Sequence, residues 1–167
     1  WALLEKRLQV EDRFDCGIDA KDTPFVVAVK DGDEEKLAEL LKAGTDPNEK
    51  DSYGTPVLAV AAAKRDVDTV RLLVDAGADV DAVDALGATA LMYAGNEVCV
   101  ELLLKAGANP NKRTPDGLTP LMFISARRTY WGDKQAVIDL LLQYGANPTL
   151  KDDYGMTAAD YAGRSKN

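Results

Sequence analysis

No histidine occurs in the sequence, and this absence excludes the commonest catalytic and metal-binding chemistry. Histidine is the usual general base near neutral pH, a member of the serine and cysteine triads, and a frequent ligand of zinc. The chain also has no glycine-rich phosphate-binding loop and no Gly-x-Ser-x-Gly motif. Carboxylate, lysine or tyrosine chemistry stays open, but no motif points to it. We therefore expect no enzymatic activity, no cofactor and no metal site.

Cysteine is scarce as well. The only two, Cys16 and Cys99, are far apart and do not form a Cys-x-x-Cys motif. A chain of 167 residues can bury a sufficient core without a disulfide bond. We expect two free thiols, with Cys99 as a small core residue between Val98 and Val100.

Basic residues and long apolar runs are also lacking. The chain has 20 Lys and Arg against 28 Asp and Glu, which gives a net charge of −8. This charge opposes binding to nucleic-acid phosphates or to an anionic membrane. No stretch without a charged residue is longer than 85–96, which is shorter than the ~18 residues that can span a bilayer. The same charge suits a partner with a basic surface patch, or it serves solubility alone. We expect a monomer in isolation.

The N-terminus does not have the pattern of a signal peptide, because Glu5, Lys6 and Arg7 interrupt its apolar residues early. The sequence begins with Trp1 and not with Met, so we expect a fragment or a processed product. The cytoplasm is the favoured compartment, and a targeting signal upstream stays open.

Glycines recur in pairs, and the two glycines of each pair are ten residues apart. A leucine-rich run precedes the first glycine, and a threonine follows the second within two residues. Such regular spacing indicates an internal repeat. The pairs are Gly44 and Gly54, Gly77 and Gly87, Gly107 and Gly117, and Gly145 and Gly155.

One period of this pattern predicts two short helices and a turn-rich connection. Threonine is a good N-cap and proline is tolerated at the first helical position, so Thr55-Pro56 predicts a helix start, as do Thr23-Pro24 and Thr119-Pro120. The leucine run predicts a second helix with one apolar face, ended by a left-handed glycine. The polar segment between the glycines suits an extended finger. A single unit cannot bury its apolar face alone, so the units must stack into a solenoid.

With these features the chain resembles the ankyrin repeat family. The resemblance rests on the Thr-Pro-Leu-like helix starts, the Leu-Leu-x-x-Gly-Ala-Asp/Asn-x-Asn turn and the Asp-x-x-Gly finger, and it covers residues 23 to about 162. It implies an all-α ankyrin-repeat solenoid that forms one domain. Its expected segments are an N-terminal capping helix or segment at 1–22, repeats at 23–54, 55–88, 89–118 and 119–156, and a C-terminal capping helix at 157–167. The alternative for the amphipathic start of the chain is a partner-binding helix.

Three departures from the family pattern stand out. The third repeat has lost residues near 95–97, which predicts a shortened first helix or turn, and the fourth has gained residues around 127–133. The family's histidine after Thr-Pro-Leu is missing, so we expect apolar packing in place of its hydrogen bond. The residues in its place are Val26, Leu58, Met92 and Met122.

The resemblance implies a concave face, lined by the finger tips and the exposed ends of the first helices, that binds partner proteins. We take the residues at these places as candidate contacts. They are Tyr53, Leu86, Asp116 and Tyr154 at the tips, and Lys64 and Arg65 at the end of the second repeat's first helix.

The insertion in the fourth repeat supplies a second group of candidates, Arg127, Arg128, Tyr130 and Trp131. Arginine, tyrosine and tryptophan are the residues most enriched at binding hot spots, and repeat proteins often place insertions on their binding face. The alternative is that Trp131 folds back over the gap left by the shortened third repeat.

The function that the resemblance implies is a non-catalytic protein-binding scaffold. Two alternatives stay open. The chain could be an inhibitor or immunity-type protein that neutralises an enzyme or a toxin, or it could be the regulatory segment of a longer polypeptide.

Overall fold

The computed structural model describes residues 17–127 and 133–164, and in these ranges the chain is helical, with two isolated β-bridges and no strand. The helices are short, seven to ten residues in most cases, and are joined by tight turns and by four longer fingers. Their bounds are α1 Pro24–Asp31, α2 Glu34–Lys42, α3 Val57–Ala63, α4 Val67–Asp75, α5 Ala90–Tyr93, α6 Glu97–Lys105, α7 Pro120–Ala126, α8 Lys134–Gln143 and α9 Ala158–Arg164.

Consecutive helices form antiparallel pairs, and the pairs stack in two layers. The first helices of the pairs, α1, α3, α5, α7 and α9, pack in sequence against one another, and the second helices, α2, α4, α6 and α8, do the same. Each second helix also packs against the first helix of its own pair. This arrangement confirms the predicted all-α solenoid.

The core runs between the two layers and explains why the helices are patterned as they are. The inner first helices, α3, α5 and α7, are surrounded on nearly all sides, so all seven residues of α7 and six of the seven in α3 are buried. Alanines at 59, 61 and 62 have no exposed surface and allow neighbouring helices to approach closely. Second helices bury one face only, as Val70 and Leu73 of α4 show.

Each second helix begins at an aspartate or asparagine whose side chain accepts a hydrogen bond from a backbone N–H at the start of the helix. The distances are 3.0 Å at Asp33 and Asp66, 2.8 Å at Asn96, and 2.9 and 3.1 Å at Asp133. These caps were not among the features predicted from the sequence. An Asp or Asn directly before an apolar-periodic run is their signal.

The prediction that threonines cap the first helices is confirmed at Thr23 and Thr119, whose hydroxyls accept the N–H groups of Val26 and Met122. It is wrong at Thr55.

The N-cap of α3 is Pro56, which makes no side-chain cap bond. Val57, the first residue of α3, lies thirteen residues after the first glycine of its finger, as Ala90 and Pro120 do in theirs. The Thr-Pro pair is therefore one residue out of register with the other repeats. In consequence Ala59, and not Leu58, stands at the family's histidine position in this repeat.

The third pair is shortened as predicted, because α5 has only four residues, Ala90–Tyr93. Its N-cap Thr89 is buried, and its hydroxyl has no hydrogen-bond partner among the described residues. The chain after α5 is held by the Gly95 N–H, which donates to the Ala62 carbonyl of the preceding pair at 3.2 Å. Met92 is fully buried, in agreement with the expected apolar packing at the histidine position.

Four fingers connect successive pairs: finger 1 is Gly44–Gly54, finger 2 Gly77–Gly87, finger 3 Gly107–Gly117 and finger 4 Gly145–Gly155. One side-chain oxygen at the base of each of the first three fingers accepts a backbone N–H from the next. Asn48 accepts from Asp79 at 2.7 Å, Asp81 from Asn109 at 3.0 Å, and Asn111 from Asn147 at 2.7 Å. This ladder fixes the spacing of the fingers.

The predicted N-terminal helix lies largely outside the described residues, as does Cys16. The predicted repeat boundaries stay predictions. Cys99 lies in the core with a free thiol, as expected, and burial, with a smaller effect of the Asp66 charge, raises its pKa to about 12.

Candidate functional site

The candidate site is the row of finger tips, and four predicted contact residues occupy the same position in it. Tyr53, Leu86, Asp116 and Tyr154 each stand nine residues after the first glycine of their finger. The two tyrosines are exposed over 53% and 77% of their surfaces, whereas Leu86 and Asp116 are half-buried. Leu86 is thus less exposed than its place at a finger tip suggests.

A buried side-chain oxygen, seven residues after the first glycine of each finger, accepts backbone hydrogen bonds that hold the tip in shape. In finger 1, one carboxylate oxygen of Asp51 accepts the N–H groups of Tyr53 and Thr55 at 3.0 and 2.8 Å. Asp84 and Asp152 do the same in fingers 2 and 4. In finger 3 the Thr114 hydroxyl accepts the Leu118 N–H at 3.1 Å. These hydrogen bonds hold the backbone that carries the tip residues in a turn.

In fingers 2 and 4 the second oxygen of this aspartate accepts a hydrogen bond from a buried tyrosine. The Tyr93 hydroxyl donates to Asp84 at 2.6 Å, and the Tyr161 hydroxyl donates to Asp152. Burial and the bonded, negatively charged Asp152 together raise the pKa of Tyr161. Both tyrosines come nine residues after their aspartate, and this spacing is the signal that could have predicted the pairs.

Finger 3 replaces both members of the pair. Thr114 stands in place of the aspartate, and Phe123, which has no hydroxyl, stands in place of the tyrosine. The Phe123 ring instead packs edge-on against Tyr93, with ring centroids 6.3 Å apart. The two replacements are consistent with each other, because a buried carboxylate without a donor is costly.

Finger 1 has a valine at the tyrosine position, and Lys30 of α1 supplies the polar group near its aspartate. Its buried ammonium lies 2.7 Å from Asp22, 4.0 Å from Asp51, and 5.6 Å from the centre of the Tyr53 ring. Asp22 also accepts the Ser52 N–H at 3.0 Å. Burial would raise the pKa of Asp22, but the hydrogen bonds from Lys30 and from backbone N–H groups outweigh it and lower the pKa to about 2.

Two predicted contact residues, Lys64 and Arg127, serve the scaffold by reaching back to the preceding pair. The Lys64 ammonium donates to the Lys30 carbonyl near the end of α1. The Arg127 guanidinium donates to the carbonyls of Met92, Tyr93 and Ala94 at 3.0–3.1 Å, at the end of α5. A cation is favourable at the C-terminus of a helix, where carbonyls lack partners.

Arg127 has only 9% of its surface exposed, so we leave it out of the proposed contact surface; Lys64 stays exposed. The neighbouring Arg65 is exposed and has a positive φ of 62°, which is unusual for a residue other than glycine. The remaining candidates of the insertion, Arg128, Tyr130 and Trp131, lie outside the described residues.

The described residues hold no group of His, Cys, Asp and Glu side chains arranged to bind a metal ion. In the same ranges, no helix is long and apolar enough to cross a membrane.

Stacked antiparallel helix pairs joined by fingers of this kind define a helical repeat protein. A family model described as "Ankyrin repeats (3 copies)" matches residues 25–114 and 94–167. The chain therefore belongs to the ankyrin repeat family.

Similar proteins come from bacteria and mammals. The chain is 36% identical over 110 residues to an ankyrin repeat-containing protein of Treponema pallidum, which covers 64% of this chain and 37% of that protein. It is 36% identical over 116 residues to the rabbit ankyrin repeat, SAM and basic leucine zipper domain-containing protein 1, covering 65% of this chain and 24% of that protein. The match to the human SH3 and multiple ankyrin repeat domains protein 1 is 38% identical over 102 residues, covering 58% of this chain and 5% of that protein.

Proposed function

We propose that this chain is a non-catalytic module that binds a partner protein through its finger tips and concave face. The observation that carries the proposal is the pair of tyrosines, Tyr53 and Tyr154, exposed at equivalent tips. Tyrosine offers a large contact area with little conformational entropy to lose, which makes it a frequent binding hot spot.

The hydrogen-bonded backbone of the tips supports this proposal. Asp51 and Asp152 bind the backbone N–H groups of the two tyrosines and of the residue two positions further on. The backbone of the tips therefore has little conformational entropy left to lose on binding. The Lys30 ammonium beside Tyr53 adds an attraction to the face of its ring. A preorganised surface of this kind loses less entropy on association than a flexible one.

We include Leu86, Asp116, Lys64 and Arg65 in the proposed surface, together with the insertion residues Arg128, Tyr130 and Trp131. The net charge of −8 favours a partner with a basic patch, whose association would slow as salt is added. The cytoplasm stays the favoured compartment.

The experiment is photo-crosslinking with p-benzoylphenylalanine placed at position 53, 154 or 144 and exposed to lysate of the source cells. Tyr144 is the matched control, because it is an exposed tyrosine beyond the end of α8 and not at a finger tip. We expect one protein to be crosslinked from positions 53 and 154 and not from 144. Equal crosslinking from all three positions, or none from the tips, contradicts the proposal.

Affinity measurements on the crosslinked protein then separate the tips from the insertion. Tyr53→Ser and Tyr154→Ser should each weaken binding at least tenfold, with Tyr144→Ser unchanged. Trp131→Ala tests the insertion, and circular dichroism shows whether that variant stays folded. Loss of binding by a folded Trp131→Ala protein supports a contact role. Loss of folding favours the alternative that Trp131 covers the gap beside the third repeat.

A further inference from the structure

In both fingers that carry a tip tyrosine, the residue just before the tyrosine is tied to the element that precedes the finger. In finger 4 the Asp153 N–H donates to the Asp116 carbonyl, at the tip of finger 3, at 3.0 Å. In finger 1 the Ser52 N–H donates to a carboxylate oxygen of Asp22, also at 3.0 Å. Ser52 and Asp153 hold the same place, eight residues after the first glycine of their finger. The two bonds are therefore equivalent, although one acceptor is a backbone carbonyl and the other is a side chain.

The two tips without a tyrosine lack this bond. Finger 3 has Pro115 at the same place, and proline has no backbone N–H to donate. Finger 2 has Ala85 there, whose N–H donates no hydrogen bond within residues 17–127 and 133–164. The link to the preceding element thus occurs at the two tips that present an exposed tyrosine.

Asp22 differs from the residues at its own place in later pairs. It directly precedes the N-cap of α1, as Ala88 and Leu118 precede the N-caps of α5 and α7, and these two residues are apolar. The Asp22 side chain has no exposed surface, and its second oxygen accepts the Lys30 ammonium at 2.7 Å. Lys30 in turn lies 5.6 Å from the centre of the Tyr53 ring. Asp22 therefore acts on the tip of finger 1 in two ways, through its backbone and through its tyrosine ring.

We propose that Asp22 is a positioning residue for the binding of a partner protein at finger 1. Its carboxylate takes the place that the tip carbonyl of finger 3 has for finger 4, and it fixes the direction in which Tyr53 is presented. Because its side chain is buried, Asp22 acts through the tip and does not touch the partner. The inference rests on the function proposed above, since it concerns how one of the two tip tyrosines is held. By thermodynamic linkage, a partner that binds Tyr53 in this orientation also stabilises the contact between Asp22 and finger 1.

The first measurement needs no partner and follows hydrogen exchange of the tip amides in the intact chain by NMR. Asp22→Ala removes the acceptor, so the Ser52 N–H should exchange at least about fivefold faster, as expected for the loss of one hydrogen bond. The Asp153 N–H should exchange as in the unchanged chain. Asp116→Ala is the matched control, because the acceptor there is a backbone carbonyl that the substitution retains. It should leave the exchange of the Asp153 N–H unchanged.

The second measurement is the affinity for the protein that is crosslinked from positions 53 and 154. Asp22→Ala should weaken this binding at least threefold in the unchanged chain and in the Tyr154→Ser chain. In the Tyr53→Ser chain the same substitution should have no further effect, because a positioning residue acts through the group that it positions. A general loss of structure would instead weaken binding equally in both tyrosine variants. Circular dichroism of the Asp22→Ala chain verifies that it is folded.

Two results would overturn the inference. The first is an unchanged exchange rate of the Ser52 N–H in Asp22→Ala, which would show that the carboxylate does not hold the tip. The second is an effect of Asp22→Ala on affinity that is absent, or that is equal in the Tyr53→Ser and Tyr154→Ser chains. Failure of the proposed function has a different sign, since no protein would then be crosslinked from positions 53 and 154 of the unchanged chain.

Discussion

A methyl group added at Gly87 should separate the cost of a left-handed backbone from the cost of contact between two fingers. Gly87 has a φ of 73°, and a Cβ there would lie 2.4 Å from Cδ and 3.3 Å from Cγ of Pro115 in finger 3. Gly54 has the same position in finger 1 and a φ of 78°, but a Cβ there meets nothing within 4 Å. Gly87→Ala and Gly54→Ala therefore differ mainly in the contact with Pro115.

The magnitudes follow from these distances. Both substitutions place a side chain at positive φ, which costs roughly 1–2 kcal/mol. Carbon atoms pack best at about 3.5–4.0 Å, so the Cβ at position 87 and the Pro115 ring must separate by roughly 1 Å. Forced overpacking of this kind costs about 1–3 kcal/mol. We expect Gly87→Ala to lower the free energy of unfolding by about 1–3 kcal/mol more than Gly54→Ala does.

Urea denaturation followed by circular dichroism measures both values. The double variant Gly87→Ala/Pro115→Ala lacks the proline ring. Its loss of stability should therefore be about the sum of the losses caused by Gly54→Ala and by Pro115→Ala alone. Gly155→Ala, with a φ of 74° and no atom near its Cβ, is a second control. Equal losses for Gly87→Ala and Gly54→Ala would refute the close packing of fingers 2 and 3.

Three further predictions concern single residues. Arg65→Gly should raise the free energy of unfolding by about 0.5–1 kcal/mol, since it relieves the φ of 62°, and a loss in urea denaturation would contradict this. The pKa of Asp22, lowered from 3.8 to about 2, gives a stabilisation that is complete above pH 3.8 and is lost as the pH falls toward 2. Asp22→Asn should remove this loss of stability at low pH, which amounts to at most about 2 kcal/mol. The measurement is the free energy of unfolding at a series of pH values between 2 and 5. The Cys99 thiol, with a pKa near 12, should resist alkylation in the folded chain and react on unfolding, and rapid labelling of the native chain by mass spectrometry would contradict its burial.

The helix pairs and their order could be predicted because glycine and leucine recur at fixed spacing. Local register was harder. Thr55-Pro56 looks like a cap and a first helical residue, but only the distance from Gly44 shows that Pro56 itself is the N-cap. The local preference of Thr-Pro and the spacing of the repeat thus predict different N-caps for α3, and the structure follows the spacing of the repeat.

The candidate site was predictable in part. Position in the finger pointed to Tyr53 and Tyr154 as exposed tip residues, since each comes just before the second glycine of its finger. Charge and position at a helix end did not indicate that the long side chains of Lys64 and Arg127 both reach carbonyls of the preceding pair. The sequence contains no local sign of a contact between residues more than thirty positions apart.

The exchange of Asp and Tyr for Thr114 and Phe123 in finger 3 leads to a final prediction about how the fingers are anchored. Phe123→Tyr alone buries a hydroxyl without a carboxylate partner, and Thr114→Asp alone buries a carboxylate without a phenol, so each should lower stability by about 1–3 kcal/mol. Together they recreate the Asp84–Tyr93 pair, whose oxygens are 2.6 Å apart. A double-mutant cycle should show a favourable coupling of at least about 1 kcal/mol. Additive losses would contradict this reasoning, because they would show that an aspartate and a tyrosine at these two positions do not stabilise each other in finger 3.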